Sequence, residues 1–408
     1  MKKYLLLSLI IILPAAINAA DFSLLTNQYI AVEKKGEGEL SFEYQANILP
    51  GFGHIFNDSC DIYLSVGITL GWKNEFTWVP ELLRTEFTWL NNNMVLRFGR
   101  INYSDPLGLI ASGLFDGLQF SHTSMAGTFS IGAWYTGFLY KKTSYIVMND
   151  RDLTAFNIPF NHKKFMDTYF SSRRLLMSLD WRHPSIADLF QLNAVVTAQI
   201  DLPKTEPDAK TEKFHSQYYT LKAVVPIKSI DIELGGSLET SQNIKPDVNT
   251  ENGIALAGII NIFYKLPVKF SSSISLTGRF ATGEADNLSA FIPLSNKFYG
   301  NIFKIRMPGS SLISLGYTAR FVPEFGMSFT VSHFLRHDLV SYTAYPLETE
   351  STKKRSLGTE FAAKFVWSPF SDLQFNLGGG VFLPVLGNAA PNAKPLWLCE
   401  FTLAFAIY

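Results

Sequence analysis

The sequence predicts an all-β protein, a transmembrane antiparallel up-and-down β-barrel of about 18 strands, with 16 as the alternative count. Three observations carry this: an export leader, long segments that alternate apolar and polar residues, and a regular exchange of tight turns with long polar loops. The leader "MKKYLLLSLIIILPAAINAA" has two lysines, an apolar run from Tyr4 to Leu13 and small residues at Ala19 and Ala20. This is a secretory signal, residues 1–20, with cleavage expected after Ala19 or Ala20. No cysteine stands at the cleavage point to accept a lipid.

Composition narrows the class for the exported part, 21–408, which reads as a single barrel domain. Aromatic residues make up 14% and charged residues only 17%, against about a quarter charged in an ordinary soluble domain. Formal net charge is zero, so nothing points to nucleic acid or a polybasic membrane surface. No apolar run approaches the roughly 18 residues of a spanning helix. Two cysteines, Cys60 and Cys399, are too few for a disulfide framework.

The strands follow in order. "ELSFEYQA" (39–46), "CDIYLSVGITL" (60–70) and "EFTWV" (75–79) come first, and fifteen more run from about Leu82 to the end. If 75–79 only continues its predecessor and 39–46 stays outside the wall, the count is sixteen. "LLMSLDW" sets Leu175, Met177, Leu179 and Trp181 against Ser178 and Asp180; "VKFSSSISLTGRF" sets Phe270, Ile274, Leu276 and Phe280 against Ser271, Ser273, Ser275 and Arg279. Such segments run to roughly 10–14 residues, beyond the usual strand of about 5–6 and long enough to cross a bilayer at a tilt. Seven short connections are expected at 91–93, 125–127, 183–187, 225–228, 265–267, 322–325 and 368–370. Five contain proline (Pro184, Pro226, Pro267, Pro323, Pro369), which cannot continue a ladder. Between them lie longer polar connections, among them 102–114, 140–172, 203–213, 282–309 and 338–355. Short periplasmic turns and long outer loops are the pattern of an outer-membrane barrel.

The terminal strand "WLCEFTLAFAIY" places Trp397, Cys399, Phe401, Leu403, Phe405 and Ile407 on one face. In hydrocarbon it has to pair with the first strand, since a free edge would leave backbone groups unbonded. It resembles the C-terminal signal read by the barrel-assembly machinery, although here the bulky residues sit on the opposite parity from the final Tyr408. Both cysteines fall on the lipid-facing parity, two strands apart in the eighteen-strand scheme. That separation, about 9–10 Å, exceeds disulfide reach.

One stretch is more specific. "LRFGRINYSDPLGLIASGLFDGLQF" (Leu96–Phe120) is strand, loop, strand, with an R-x-G-R start and an F-D-G return. It resembles the corresponding segment of alginate-export-type barrels and, more loosely, of carbohydrate- and carboxylate-selective porins. The resemblance implies pore-lining roles for Arg97, Arg100 and Asp116. Arg100 shares a parity with Leu96 and Phe98, so either a bulge turns it inward or it sits at headgroup level.

Parity sends further charges toward the lumen, notably Arg84, Arg174, Arg182, Arg279, Arg320 and Arg336, with Glu43, Glu86, Asp180, Glu239, Glu360 and Glu400. The plainer expectation is ion pairs bracing a wet interior; the sharper one is an arginine path for anions through Arg97, Arg174, Arg182, Arg279 and Arg320. Loops 140–172 and 282–309 mix aromatics with basic residues, and either narrow the mouth or pack outside it, the second being the plainer reading. Catalysis has little support. His333 and His337 would stand about 13 Å apart along a strand, and no nucleophile elbow, phosphate loop, metal set or cofactor motif occurs. The implied function is a passive channel for small polar solutes, with acidic saccharides or carboxylates as the suggested class; the other readings are a hydrophobic-compound transporter or a surface adhesin or receptor. Residues 21–36 look too short for the folded plug of a hydrophobic transporter. The expected partners are outer-membrane lipid and the permeating solute.

Overall fold

In a computed structural model of the chain, residues 20–36, 38–73, 75–203, 212–245, 250–284, 288–295, 298–337 and 354–407 are described. The leader, most of the expected loops 203–213 and 338–355, and Tyr408 lie outside them. The first strands are β1 (Ala20–Lys34), β2 (Leu40–Asn57), β3 (Cys60–Trp72), β4 (Phe76–Asn91), β5 (Met94–Ser104), β6 (Ser112–Ser124) and β7 (Gly127–Tyr135). They continue as β8 (Arg174–Ile186), β9 (Phe190–Asp201), β10 (Lys213–Ile227), β11 (Ile230–Ile244), β12 (Glu251–Lys265) and β13 (Ser271–Ala281). A two-residue hairpin, β14 (Phe298–Tyr299) and β15 (Ile305–Arg306), interrupts the wall order. Then come β16 (Ser310–Val322), β17 (Phe325–Arg336), β18 (Ser356–Phe370), β19 (Leu373–Leu383) and β20 (Leu396–Ile407).

Apart from the small hairpin, eighteen strands form one antiparallel sheet that closes on itself. β20 pairs with β1 from Leu24↔Ile407 to Lys34↔Trp397, so no edge is left to the hydrocarbon. Eight connections at one end are short, from 58–59 to 371–372. The other end carries longer ones, chiefly 136–173, 282–309 and 384–395. Tight turns use left-handed residues such as Asn92, Asp188 and Lys228. Alternation separates the faces as expected: Leu179, Ile131, Ile313 and Leu315 are more than half exposed on the outside, while Ser178, Ser314 and Ser332 are buried inside.

Eighteen is the expected count, but the first strands differ. Residues 20–34 form β1, where no strand was assigned. Thr26 and Gln28 lie opposite Phe405 and Leu403 on the outer face, and they interrupt the apolar period. Residues 75–79 do not make a strand of their own, because β4 runs unbroken through Pro80. Tyr169 Oη donates to the Pro80 carbonyl at 2.9 Å. In an antiparallel ladder a residue's N–H and C=O face the same edge, so the missing N–H points where no strand pairs. The extra strand also puts Cys60 and Cys399 three strands apart, with both thiols free.

Candidate pore and its constriction

The wall is notched where β5 and β6 leave it. β4 pairs with β5 only as far as Thr85↔Arg100, and β6 pairs with β7 only as far as Asp116↔Tyr135. The two strands stay paired with each other up to Ser104↔Ser112, so the upper hairpin turns away from both neighbours. Gly99, at φ 112°, and Gly117 allow the turn. A Cβ on either would lie within about 2 Å of the backbone carbonyl of Thr85 or Ala133.

The hairpin enters the lumen. Its tip is shaped by Asp105, whose carboxylate accepts from the backbone N–H groups of Leu107, Leu109, Ile110 and Ala111. Burial pushes this carboxyl up against those four donors. Lys222 Nζ, on β10, donates to the Pro106 carbonyl at 3.0 Å. A Cβ on Gly235 of β11 would clash with Leu107. The tip thus spans from β5–β6 to β10–β11, five strands away.

Loop 282–309 folds in with it, and loop 136–173 fills the notch, its Ile146 bridged to Ser295 on the inside and its His162 stacked on the outer Trp78, so the plainer expectation of outer packing fails for 282–309 and holds only for part of 140–172. Phe291, Leu294 and Phe303 are fully buried against Ile110, Tyr218, Phe334 and Phe382. Wall carboxylates anchor loop 282–309: Glu239 accepts from Ile292 N at 2.7 Å. Glu360 accepts from Asn301, Ile302 and Phe303 N at 2.8–2.9 Å. Loop 136–173 contains α1 (Lys141–Ser144), α2 (Asp150–Asn157), a 3-10 turn (His162–Lys164) and α3 (Phe165–Thr168). It is fixed by a buried charge cluster. Arg174 Nη2 meets Asp152 at 2.5 Å and Asp201 at 3.6 Å, and Arg151 forks onto both oxygens of Asp201.

The sequence candidates therefore separate. Arg174 is fully buried and offers no surface to a solute; it binds a loop to the wall. Arg100 is buried too, and neither of its expected positions holds. Its guanidinium lies in the notch, forked onto Asp116 at 2.7 Å on both arms, with further bonds to the carbonyls of Leu82 on β4 and Phe138 beyond β7. Arg97 remains half exposed to the lumen beside Glu86. Arg279 lies over the Tyr299 ring at 5.5 Å. Arg182 is exposed near the short-turn end, and Arg320 lines a lower cavity of about 340 Å³ with Glu324 and Lys364. His333 and His337 bond separate hydroxyls, Ser356 and Thr359 in one case and Ser311 in the other. No three metal-ligating side chains converge among the described residues.

Three cavities lie along the β20–β5 side, and the inward loops border two of them. A cavity of about 640 Å³ is lined by Glu43, Lys73, Tyr140, Lys142 and Tyr145. It adjoins one of about 480 Å³, lined by Ser112, Tyr145, Ser295, Asn301, Lys304 and Glu400. Below it, Arg84, Glu86, Arg97 and Asn102 border about 450 Å³. Tyr145, in the left-handed region at φ 51°, meets the Phe298 ring edge-on at 6.1 Å. Burial lowers the Lys142 ammonium from its ordinary value, and its Nζ stands 3.8 Å from the centre of the Phe156 ring. Lys73, Lys142, Lys304 and Tyr145 were not singled out in the sequence. All four lie in connections, where no periodicity assigns a direction.

With a closed eighteen-strand wall and inward loops established, the chain can be set beside known structures. It superposes on Pseudomonas aeruginosa OccK5 (OpdH) with TM-score 0.61 at 11% identity, covering 96% of this chain and 99% of that one. The fold is that of an outer-membrane porin. OccK2 (OpdF) of the same organism, solved in complex with glucuronate, gives 0.59 at 12% identity over 95% and 98%. OprD gives 0.58 at 12% over 95% and 93%. No family model and no curated protein matches the sequence. The porin likeness is thus one of backbone, and the side chains of the passage have to be read on their own terms.

Proposed function

We propose that this porin-fold chain is a passive outer-membrane channel for small polar solutes, with acidic saccharides or carboxylates as its class. The observation that carries the reading is the row of three cavities along the β20–β5 side, two of them bordered by the anchored loops. Cations at Lys73, Lys142, Lys304, Arg84 and Arg97 alternate there with hydroxyls, an aromatic pair and the carboxylates Glu43, Glu75, Glu86 and Glu400. Such a wall follows a polar solute by charge and hydrogen bonds, while Tyr145 and Phe298 offer flat faces to a sugar ring. The neighbour solved with glucuronate supports the same class. Of the sequence candidates, Arg97 and Arg320 border open space and Arg279 lies beside the loop hairpin at Tyr299; these three are the proposed path residues.

In this reading the leader is removed near Ala20, where β1 begins, the long loops face outward, and the terminal strand is read by the barrel-assembly machinery. A hydrophobic transporter with an N-terminal plug fits less well, because 20–34 is part of the wall. Reversal potentials across a planar bilayer in a salt gradient test the proposal. An anion preference that glucuronate blocks supports it, and a cation-selective pore indifferent to glucuronate refutes it.

A further inference from the structure

The notch leaves β4 exposed on one edge. Nine residues, Phe76–Arg84, run past its last pairing with β5, and loop 136–173 occupies the missing wall. Tyr169 and Arg100 satisfy alternate carbonyls of that edge, Pro80 and Leu82, and Thr143 Oγ1 donates to Glu81 at 3.0 Å. Tyr140, Phe160, Phe165 and Tyr169 pack together behind it. The loop is therefore a section of wall with an outward surface of its own.

The outward surface is basic and aromatic. His162 stacks on Trp78 with ring centres 4.4 Å apart. Trp78 shares its lipid-facing side with Phe76, and Phe42 and Trp72 meet edge-on beside them; all four are exposed. Trp89 lies eleven residues farther along β4, which at about 3.3 Å per residue and a tilt near 40° is roughly 28 Å of height. That is close to the full apolar band, so Trp78 lies at its far edge, among headgroups. Lys163 and Lys164 project from the same turn as His162, both exposed. The turn is rigid: Asn161 Oδ1 accepts from Lys163 N, and Thr168 Oγ1 accepts from Asn161 N while donating to Lys164 O. Neither lysine has a carboxylate within salt-bridge distance among the described residues; Asp167, on the next turn, is the nearest acid in sequence and is exposed.

We infer that the His162–Lys164 turn and Trp78 form a docking site for the phosphate of an acylated glycolipid in the outer leaflet. Two ammonium groups held at headgroup height meet the phosphate, and the aromatic belt takes the first acyl carbons. The inference rests on the outward orientation of the long loops proposed above. An aromatic belt alone would accept any lipid; the paired lysines make the site selective for phosphorylated headgroups.

The experiment uses the full chain refolded in detergent, with bound glycolipid counted by native mass spectrometry. The probes are bisphosphorylated lipid A and its dephosphorylated form, with inorganic phosphate as competitor. Wild type should retain the phosphorylated form selectively. Lys163→Gln with Lys164→Gln should weaken retention about thirtyfold, from two lysine contributions at a membrane surface. Lys265→Glu, at the short-turn end, should change nothing. Conductance should be the same in all three, which separates this result from any failure of the channel reading. Equal retention by the double variant, or of the dephosphorylated lipid, overturns the inference. Displacement by millimolar inorganic phosphate overturns the lipid as the occupant. A Lys163→Cys variant that an impermeant reagent cannot label on intact cells overturns the orientation on which it rests.

Discussion

Replacing Arg100 by alanine should unfasten the notch. The guanidinium makes two bonds to Asp116 at 2.7 Å, one to Leu82 O and one to Phe138 O, so it joins β4, β6 and the chain beyond β7. Its side chain is 4% exposed and that of Asp116 is 22% exposed. Removing one member of a buried pair costs about 3–5 kcal/mol, because the other charge is left uncompensated. Water at Asp116 relieves part of this, so Arg100→Ala is expected near 3 kcal/mol. Asp116→Ala in the same chain removes the stranded carboxylate and should recover about 1 kcal/mol. The remainder belongs to the orphaned carbonyls at Leu82 and Phe138. Arg100→Lys keeps the charge but has no fork to reach three elements at once, and should fall between wild type and alanine.

Unfolding in guanidinium from lipid vesicles measures these differences, with Arg182→Ala as an exposed-arginine control. Current recordings give an independent readout, since a loosened hairpin should add noise to the open channel. If Arg100→Ala unfolds with the Arg182→Ala control, or if the two alanine changes are additive within about 0.5 kcal/mol, the idea of a latched notch fails.

Further outcomes follow from the same geometry. Glu360→Ala strands three backbone N–H groups of the inward loop, so single-channel conductance should rise and flicker; an unchanged trace would show that the loop holds without this anchor. Leu276→Arg places charge on the lipid face at about 2–4 kcal/mol, whereas Thr277→Arg, one residue along and facing inward, should cost under about 1 kcal/mol; equal damage in vesicle refolding would contradict the wall assignment. Neutralising Arg84 and Arg97 together should move the reversal potential toward cations, most clearly at low salt where the Debye length is long; a potential that stays put would make both arginines braces of Glu86. In a cysteine-free background, a cysteine at Met166 should label on intact cells and one at Ser185 should not, and the reverse pattern would invert the topology.

The wall was legible because lipid and water impose a period of two on every strand that separates them. Where both sides are protein that rule lapses, and there the sequence reading went astray. Ile101, Tyr103 and Phe115 are all buried on a hairpin surrounded by the interior, so parity could not say which way Arg100 points. Arg174 obeys parity and faces inward, yet Asp152 and Asp201 bury it, and Asp152 comes from a loop with no periodic signal. The stretch "RFGRINYSDPLGLIASGLFDG" holds the notch, for a reason visible only in three dimensions. Gly99 and Gly117 are the pivots, and Arg100 with Asp116 is the last rung before the strands depart.

This division of charges bears on how a net-neutral barrel of this fold could favour anions. The inward loops consume carboxylates as anchors: Asp105 on four backbone N–H groups, Glu360 on three, Glu239 on one, and Asp152 and Asp201 on Arg174. These acids are buried, and their charge is largely spent on donors that a permeating ion never meets. Arg84 and Arg97, by contrast, share the single carboxylate of Glu86 and remain about half exposed. Lys142 and Lys304 border the passage with no carboxylate in salt-bridge contact among the described residues. An ion within a Debye length of Arg84 and Arg97, about 8–10 Å, therefore meets two cations against one acid there. Nearer the mouth Glu33, Glu43, Glu75 and Glu400 balance the lysines, with Lys73 held against the first two. The bias should accordingly be strongest at Arg84 and Arg97, below the loops, where one acid faces two cations.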